Sequence, residues 1–476
     1  MNDLYSHIDS HVDESIEQLF ELVRQPSISA QKLGFDKAPG LMKDLLERNG
    51  FDAEIVPVPN DGLPTVYGYM AASEAPENAP TLLFYCHYDV QPVDPIDLWD
   101  TDPFEPTRVG DRLYGRGMSD DKGNIGARLA AIRAFRDERG GVPCNIKMFC
   151  EGEEESGSIN LPDLIAERGD DFKADACIWE GGGRNLNGDP FMYLGLKGVL
   201  GIGLSVTMLS GDAHSSYAAI LPSAAWRLLQ ALQTIKDEDE RILIDGFYDG
   251  ITEPSAEAIA AVEALPDDAP EWLDTFGVSG FVKGLGGEDL RKQLIFQPTA
   301  NIAGLDSGYQ DAGMKTVLPA VAKAKMDFRL VPEQRPYDIF EKLRKHLDKQ
   351  GFEDVEVEVL AAVNPYRTDL NSPWVQMVAE TAEEIYGRKP VMTPNMAGTG
   401  PMFDFGDTLG MPIATSGIDH PSHKIHAPNE NITTEDFLLG AKHAALIIER
   451  FARDWGWVWC CPRFLTRLND PTVMLN

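Results

Sequence analysis

Two residues with metal-binding side chains close an apolar run near the start of the sequence. TLLFYCHYDV (81–90) predicts a buried strand that ends in His87 and Asp89, and residues two apart share one face of a strand. A histidine that binds a metal usually needs a second group to hold its ring, which Asp89 can provide. Taken alone, the pair also fits a histidine that merely finishes a core strand.

Carboxylates follow two more strand-like runs and a turn. NIKMFCEGEEES (145–156) ends in four glutamates, whose repulsion is costly unless cations or hydrogen bonds offset it, and DACIWEGGG contains Glu180 at the end of its strand. GRGMSDDKG (115–123) sets Asp120 beside Asp121 ahead of a predicted helix. Ordinary alternatives are a solvated acidic loop for the glutamates and helix capping for the aspartates.

Three histidines lie within seven residues near the other end of the chain, in GIDHPSHKIHAPNENI. The prolines and glycine of this segment predict a loop, and the HExxH spacing of helical zinc sites is absent. His426, in the part most constrained by proline, is the expected metal ligand. His420 and His423 are expected at the surface.

Together these side chains form a set of nitrogen and oxygen ligands, most of them at strand ends of one predicted sheet. Such a set suits zinc, manganese or cobalt better than the thiolate sites of CxxC pairs do, and one carboxylate can bridge two ions. The sequence therefore predicts a metal site at the carboxyl end of a sheet, where open α/β sheets bind ligands.

Six motifs in fixed order carry a family resemblance: HYDVQP, GRGMSDDKG, GEEESGS, WEGG, FRLVP and HAPNEN. They resemble the M20 family of dinuclear metallopeptidases, in particular its cytosolic dipeptidase and carnosinase-like branch, over nearly the whole chain. The resemblance implies two divalent ions, with zinc expected and manganese or cobalt as alternatives. Its implied ligands are His87 and Glu180 for one ion, Glu155 and His426 for the other, and Asp120 as the bridge.

The resemblance also implies catalytic roles. Glu154 is the general base that activates water and passes the proton to the leaving amine. Because the segment is taken as extended, Glu154 and Glu155 are expected to face opposite ways. Asp89 is counted with the catalytic residues as the group behind His87. His214 in GDAHSSY matches a lid histidine that reaches the partner subunit's active site and stabilises the oxyanion.

Substrate contacts are implied as well. Arg329 in FRLVP matches the arginine that grips a terminal carboxylate, and Thr316 in KTVLP assists it. Carnosinase-like members carry an arginine and a Gly-Gly-Ser run where this chain has NMAGTGPM, so no preference for carnosine is implied. Backbone amides of Gly398, Thr399 and Gly400 form the expected carboxylate nest in that segment.

Strand and helix patterns alternate over much of the chain and predict a mixed α/β fold. The catalytic domain is expected to have a mostly parallel central sheet flanked by helices. The predicted organisation is a catalytic domain formed by residues 1–197 and 371–476, with an inserted α+β lid and dimerisation domain at 198–370. A homodimer through the lid is expected.

Composition limits the partners and the location. The 476 residues include 76 acidic and 42 basic ones, and a net charge of −34 argues against nucleic acid and anionic membranes. No apolar run reaches the ~18 residues of a membrane helix. The polar start is unlike a signal peptide, and the cysteines suit small buried positions in a reducing compartment, so we expect a cytoplasmic protein. The tryptophan-rich tail at 455–476 is unexplained.

The expected activity is metal-dependent hydrolysis of the amide bond in dipeptides or short peptides, without a covalent enzyme intermediate. The nearest alternative is an N-acyl amino acid deacylase or desuccinylase with the same site, acting on short acylated amino acids. A non-catalytic metal-binding scaffold and an acidic cation-buffering protein are more distant alternatives.

Overall fold

The computed structural model describes residues 1–455, and the rest of the unexplained tail, with Cys460 and Cys461, lies outside the described residues. The helices are α1 Asn2–Ser10, α2 Val12–Arg24, α3 Ala38–Arg48, α4 Lys122–Arg139, α5 Leu161–Phe172, α6 Ala224–Gln233, α7 Ala256–Glu263, α8 Ala269–Phe276, α9 Gly287–Phe296, α10 Pro336–Lys349, α11 Pro373–Tyr386 and α12 Thr434–Arg450.

The strands alternate with these helices along the chain. They are β1 Asp52–Val58, β2 Gly62–Met70, β3 Thr81–His87, β4 Thr107–Val109, β5 Arg112–Tyr114, β6 Asn145–Glu151, β7 Ala176–Trp179, β8 Gly183–Arg184, β9 Pro190–Tyr193, β10 Gly195–Leu196, β11 Gly198–Thr207, β12 Ala213–His214, β13 Thr299–Asp306, β14 Val317–Leu318, β15 Val321–Leu330, β16 Glu356–Val363, β17 Tyr366–Arg367, β18 Val391–Thr393, β19 Ile413–Thr415 and β20 Asn431–Thr433.

Six strands form the central sheet, in the order β1-β2-β6-β3-β7-β19. Strand β3 pairs in parallel with β6 and β7, and β19 with β7, while β1 and β2 are antiparallel at one edge. The strands β3, β6 and β7 are almost continuously buried, as expected for strands covered on both faces. The carboxyl ends of the four parallel strands therefore lie at one edge of the sheet.

Helix α4 brings its N-terminus to that edge. It begins directly after Asp121, and 13 of its 18 residues are buried. Small side chains allow this close packing, since a Cβ at Gly126 would lie only 3.2 Å from the ring of Phe437. The helix ends at Gly140, whose φ of 73° favours glycine. Its position holds the two aspartates of the GRGMSDDKG motif beside the end of β3.

A second sheet has the order β13-β15-β11-β16, and its strands pair antiparallel. Buried and more exposed residues alternate along β11 and β15, so the sheet has one apolar face. Helices α6 and α10 pack on that face around Leu200, Phe328 and Leu343. This arrangement is a small α+β unit with its own core.

The described chain divides into two compact units. Unit 1 comprises Met1–Leu194, Thr368–Thr393 and the chain from Asp404 onward, and unit 2 comprises Gly195–Arg367 and Pro394–Phe403. The predicted fold class, a mixed α/β protein with a mostly parallel central sheet and flanking helices, is confirmed. Among residues 1–455, no helix combines the length and the apolar character needed to cross a membrane.

Candidate active site

His87 is the last residue of β3, and its imidazole ring is fully buried among acceptors. The Nδ1 atom lies 3.1 Å from the backbone carbonyl of Asp89 and 3.4 Å from its carboxylate. The Nε2 atom lies 2.9 Å from Oδ1 of Asp120. Asp89 therefore orients the ring from behind, which leaves Nε2 as the atom that points into the cluster.

Asp120 stands between two histidines. While Oδ1 faces His87, Oδ2 lies 3.0 Å from Nε2 of His426. The same Nε2 atom of His426 lies 3.0 Å from Oε2 of Glu155, and Glu180 lies 3.6 Å from Nε2 of His87. The structure thus brings together all five residues for which the sequence predicted metal ligation, and each oxygen of Asp120 faces a different histidine.

Asp121 also belongs to this cluster. Two groups of side chains have potential ligand atoms within 4.8 Å of one another, and they are His87 with Asp121 and Glu180, and Asp120 with Glu155 and His426. The oxygens of Asp121 already accept hydrogen bonds from the backbone N–H of His87, at 3.1 Å, and from Asn124, at 2.7 Å. Asp121 is therefore a buried brace for the end of β3, and Asp120 is the better candidate for a shared ligand.

The cluster fits divalent cations. Its donors are imidazole nitrogens and carboxylate oxygens, which suit zinc, manganese or cobalt. Oε2 of Glu180 is buried and has no hydrogen-bond partner among residues 1–455, an arrangement that is unfavourable unless that oxygen coordinates a cation. Several carboxylates this close together also need positive charge to offset their repulsion. These side chains could therefore hold a pair of cations that share Asp120.

The protonation pattern of the cluster agrees with this fit. Hydrogen bonds to Asp120 and Glu155 raise the pKa of His426 to about 10. Burial lowers the pKa of His87, but Glu180, Asp120 and Asp89 outweigh it and leave the pKa well above its ordinary value. In the absence of cations, the positive charge of the protonated histidines offsets the negative charge of the carboxylates. Cation binding would displace those protons, because a ligating histidine must be neutral.

Glu154 and Glu155 lie in a tight turn that begins soon after β6. We expected an extended segment in which adjacent side chains diverge, and that expectation is wrong, because Glu154–Ser156 form one turn of 3₁₀-helix. The carboxylate of Asp89 accepts the backbone N–H groups of Glu154, at 3.2 Å, and of Glu155, at 3.0 Å. Asp89 thus orients both His87 and the two glutamates, a double role that the sequence did not indicate.

Glu154 lies beside the cluster and is half-buried. Burial raises the pKa of its carboxyl group well above the ordinary value, Glu155 and Asp120 raise it further, and His87 opposes them. Gln91 donates hydrogen bonds to Oε2 of Glu155, at 2.8 Å, and to its carbonyl, at 3.1 Å. Glu155 is therefore held in the part of the cluster that contains His426. Glu154 is the glutamate that remains available for proton transfer.

Arg128 of α4 ties together the strand ends that carry these groups. Its guanidinium, almost fully buried, donates to the carbonyl of Tyr85 in β3, at 2.5 Å, and to Sγ of Cys86, at 2.7 Å. It also donates to the carbonyls of Trp179, at the end of β7, and of Ser416, just after β19. A lone arginine in a helical pattern gave no sequence signal for this role.

The other two histidines of the final loop were expected at the surface, and this expectation is wrong for His420, whereas His423 is half-buried. His420 is 6% exposed and its Nδ1 accepts a hydrogen bond from the backbone of Ser422. The ring of His423 lies 3.2 Å from the hydroxyl of Ser119 and 3.5 Å from Asp419. The loop folds back over the GRGMSDDKG segment, and this tertiary contact buries side chains that a polar sequence predicts to be exposed.

Unit 2 holds the remaining predicted site residues. His214 of β12 pairs with Val317 of β14, next to Thr316, and its ring Nδ1 lies 2.9 Å from the hydroxyl of Ser216. Arg329, on β15, donates from Nη1 to the hydroxyl of Thr399 at 2.7 Å.

Gly398 is held on the same unit. Its carbonyl accepts the backbone N–H of Lys197 at 2.9 Å. The segment with Gly398, Thr399 and Gly400 is therefore connected both to the start of β11 and, through Thr399, to Arg329.

Histidines and carboxylates at the carboxyl edge of a parallel sheet, with a half-buried glutamate beside them, define a metal-dependent hydrolase of the α/β class. The chain belongs to peptidase family M20/M25/M40, whose model matches residues 83–450. The predicted family and the prediction of a metallopeptidase are therefore confirmed.

Relatives with known names cover almost the whole chain. An M20 family metallo-carboxypeptidase from Sulfolobus solfataricus is 37% identical, with a TM-score of 0.87 over 92% of this chain and 99% of that one. Beta-Ala-His dipeptidase of Rattus norvegicus is 27% identical over 466 residues, or 94% of each chain. The Cys-Gly metallodipeptidase of Schizosaccharomyces pombe is 26% identical over 472 residues, or 93% of this chain and 96% of that one.

Proposed function

We propose that this protein hydrolyses the peptide bond of dipeptides and other short peptides that have a free carboxyl terminus. The observation that carries the proposal is the Asp120 carboxylate, whose oxygens lie 2.9 Å and 3.0 Å from the histidines His87 and His426, with Glu154 beside them. The names of the relatives, two dipeptidases and a carboxypeptidase, support this substrate class. All three names describe cleavage of peptides.

In the proposed centre, His87 and Glu180 hold one divalent cation, Glu155 and His426 hold the other, and Asp120 is shared. We propose zinc, with manganese and cobalt as alternatives, because imidazole and carboxylate donors suit all three. A bound pair of this kind lowers the pKa of water and polarises the scissile carbonyl.

Glu154 is the proposed general base. Its carboxylate takes the proton from the attacking water and then delivers it to the leaving amine. Burial raises the pKa of this group, which makes it a stronger base than an exposed glutamate. Asp89 contacts the backbone N–H of Glu154 and the ring of His87, and it thereby fixes the position of the proposed base relative to the proposed ligand.

Recognition of the substrate is proposed to involve unit 2. Arg329 has the planar donor fork that grips a carboxylate with two parallel hydrogen bonds, and Thr399 already accepts one of its N–H groups. Thr316 and the backbone amides of Gly398 and Gly400 are proposed to assist. We propose that residues 198–370 act as the lid and dimerisation domain, between catalytic segments at 1–197 and 371–476.

A homodimer is proposed because His214 is assigned to the active site of the partner subunit, where it stabilises the oxyanion. Unit 2 also exposes Tyr217, Ile220, Trp226 and Leu229 by 53%, 77%, 68% and 46%, which is apolar surface suited to an interface. A cytoplasmic location is proposed as well. The four cysteines among residues 1–455 are buried and unpaired, which fits a reducing compartment.

A substrate screen with metal replacement tests the activity. The protein is stripped with a chelator, reloaded separately with zinc, manganese or cobalt, and assayed with Beta-Ala-His, Cys-Gly, their carboxamides, N-acetyl dipeptides and N-succinyl amino acids. We expect metal-dependent hydrolysis of the free dipeptides and little of the carboxamides. A lack of hydrolysis with every metal, or turnover of acylated amino acids alone, would contradict the proposal.

The same screen distinguishes a carboxypeptidase, the second candidate, which the 37% identity to the Sulfolobus solfataricus enzyme favours. A carboxypeptidase cleaves N-acetyl dipeptides as readily as free dipeptides. A dipeptidase prefers the free amino terminus.

Mixed dimers test the role of His214. An Asp120→Ala subunit and a His214→Ala subunit are each expected to be inactive alone. When they are co-expressed with different tags and purified as the mixed species, one complete site forms per dimer and about half of the wild-type activity returns. A mixed dimer that is as inactive as its parents would refute the shared site.

A further inference from the structure

The segment that carries His426 also runs beside the loop that carries Asp120. Strand β20 pairs antiparallel with β5, so that Asn431 faces Tyr114. Directly beyond this pair the carbonyl of Glu430 still accepts the backbone N–H of Gly115, at 3.1 Å, and the side chain at position 430 faces the loop 115–120. The side chain at this position therefore lies between two ligand-bearing segments that are more than 300 residues apart in the sequence.

Glu430 occupies the position and is completely buried. Its Oε1 accepts the backbone N–H groups of Ser119, at 2.8 Å, and Asp120, at 3.0 Å. Its Oε2 accepts the backbone N–H of Gly117, at 3.0 Å, and Nη1 of Arg116, at 2.8 Å. Each carboxylate oxygen thus has two donors, and of the four donors three are backbone N–H groups of the loop and one is the guanidinium of Arg116.

Only a carboxylate satisfies this arrangement. All four partners are N–H donors. A protonated acid or an amide at position 430 would therefore place its own O–H or N–H group against one of these donors. An unsatisfied buried N–H in this loop is costly, and the loop would move to reach another acceptor. Any such movement would displace Asp120, whose own N–H is one of the four donors and whose oxygens face His87 and His426.

We propose that Glu430 is a positioning residue for the metal centre. Its carboxylate fixes the backbone of the Asp120 loop against the His426 segment, so that the shared ligand is presented to both histidines at once. The inference rests on the proposed function, since it takes Asp120 as the shared ligand. It adds a residue that does not touch the cations and acts on them through Asp120.

An ion pair with Arg116 is the competing explanation. Arg116 is also buried, donates to the carbonyl of Pro92 and lies over the ring of Trp99. If Glu430 served only to neutralise Arg116, removing both charges together would restore the site. If Glu430 acts through its hydrogen bonds to the loop N–H groups, the variant with both charges removed would bind zinc as weakly as Glu430→Gln alone.

The test measures cation affinity in the metal-free protein by competition with a chromophoric chelator, using zinc alone as the probe. We expect Glu430→Gln to weaken zinc binding by about 10- to 100-fold, as loss of a group that orients a metal ligand does. Glu430→Gln combined with Arg116→Met should show the same loss. Equal affinity in Glu430→Gln and wild type, or recovery in the double variant, would overturn the proposal.

Glu151→Gln is the matched control. Glu151 is a buried carboxyl group at the end of β6 that accepts a hydrogen bond from Tyr85 and has no contact with the Asp120 loop among the described residues. Burial raises its pKa to about 8, so the amide resembles the form it has at neutral pH. Its zinc affinity should stay within about threefold of wild type.

A second variant guards against misfolding. Glu430→Asp keeps the charge for Arg116 but withdraws the oxygens from Ser119 and Asp120, and it should lose zinc affinity as well. Wild-type affinity in folded Glu430→Asp would overturn the proposal even if Glu430→Gln does not fold. If the wild-type protein binds neither zinc nor manganese nor cobalt, the proposed function fails. If the wild-type protein binds zinc and the Glu430 variants bind it equally well, only this inference fails.

Discussion

Two pairs of adjacent acids divide their tasks in the active site. Asp120 faces the histidines, whereas Asp121 is buried as a brace between His87 and Asn124. Glu155 contacts His426, and Glu154 lies free beside the cluster. Within each pair, the tertiary contacts of the two carboxylates differ, and they decide which acid faces the histidines. Neighbouring residues of the same type can therefore have different pKa values and different functions.

Replacement of Glu154 separates catalysis from metal binding. Glu154→Gln keeps the shape of the side chain but cannot accept a proton, so we expect kcat to fall by about 10²- to 10⁴-fold. Zinc content after dialysis should remain that of wild type, because Glu154 is not a proposed ligand. Steady-state kinetics and elemental analysis provide the two measurements.

Glu153→Gln is the control from the same glutamate run. Glu153 accepts hydrogen bonds from the backbone of Leu63 and from Asn160, away from the cluster. Its variant should retain most of the wild-type kcat. An active Glu154→Gln enzyme would remove Glu154 from the mechanism.

Arg128 connects the carboxyl ends of neighbouring strands of the central sheet. Its donors reach β3, β7 and the segment after β19, which are the strand ends nearest to the ligands. Charged hydrogen bonds of this kind are worth about 1.5–3 kcal/mol, and carbonyls left without donors in the core add to the cost of losing them. The helix α4 thus fixes the carboxyl edge of the sheet through one side chain.

Removal of this guanidinium should weaken the fold. We expect Arg128→Met to lower the free energy of unfolding by about 2–4 kcal/mol, since three buried carbonyls lose a charged donor. Urea unfolding followed by circular dichroism measures the change. Arg136→Met, on the same helix but with a single long contact at 3.4 Å, should change it by less than about 0.5 kcal/mol. Equal effects of the two substitutions would contradict this role.

His443 connects α12 with α11 and with the residue after β19. Its ring lies 2.9 Å from the hydroxyl of Ser416 and 3.1 Å from that of Thr381, and burial lowers its pKa from 6.5 to about 4. Between these two pH values the unfolded chain binds a proton that the folded protein does not. The stability contributed by neutral His443 is therefore complete above pH 6.5 and is lost as the pH falls toward 4.

The matching measurement compares wild type with His443→Gln, which cannot titrate. From pH 7 to pH 4 the wild-type free energy of unfolding should fall by about 3 kcal/mol more than that of the variant. Urea unfolding at several pH values gives both curves. Parallel curves would show that this ring is not responsible for acid sensitivity.

The whole molecule carries a net charge of −34, which opposes its own compact state. Raising NaCl from about 10 mM to 500 mM shortens the Debye length from about 30 Å to about 4 Å and screens this repulsion. The melting temperature of the metal-loaded protein should rise by about 2 °C or more. Scanning calorimetry measures it, with an uncharged osmolyte at equal osmolality as control. A lower melting temperature in salt would show that local ion pairs outweigh the global repulsion.

Much of the architecture follows from local patterns in the chain. The apolar runs before His87 and Glu180 become parallel strands β3 and β7, and the segment after Asp121 becomes helix α4, because burial on both faces and helical spacing leave clear periodic signals. The order of motifs was enough to recognise the family. These features depend on residues close together in sequence.

Other features required the folded chain. The turn at Glu154, the burial of His420, the double use of Asp89 and the contacts of Arg128 and Glu430 all depend on partners distant in sequence. Hydrogen bonds of this kind leave no periodic pattern, because their donors and acceptors come from unrelated segments. Only packing determines which of two neighbouring acids faces the histidines and which one is turned toward other partners.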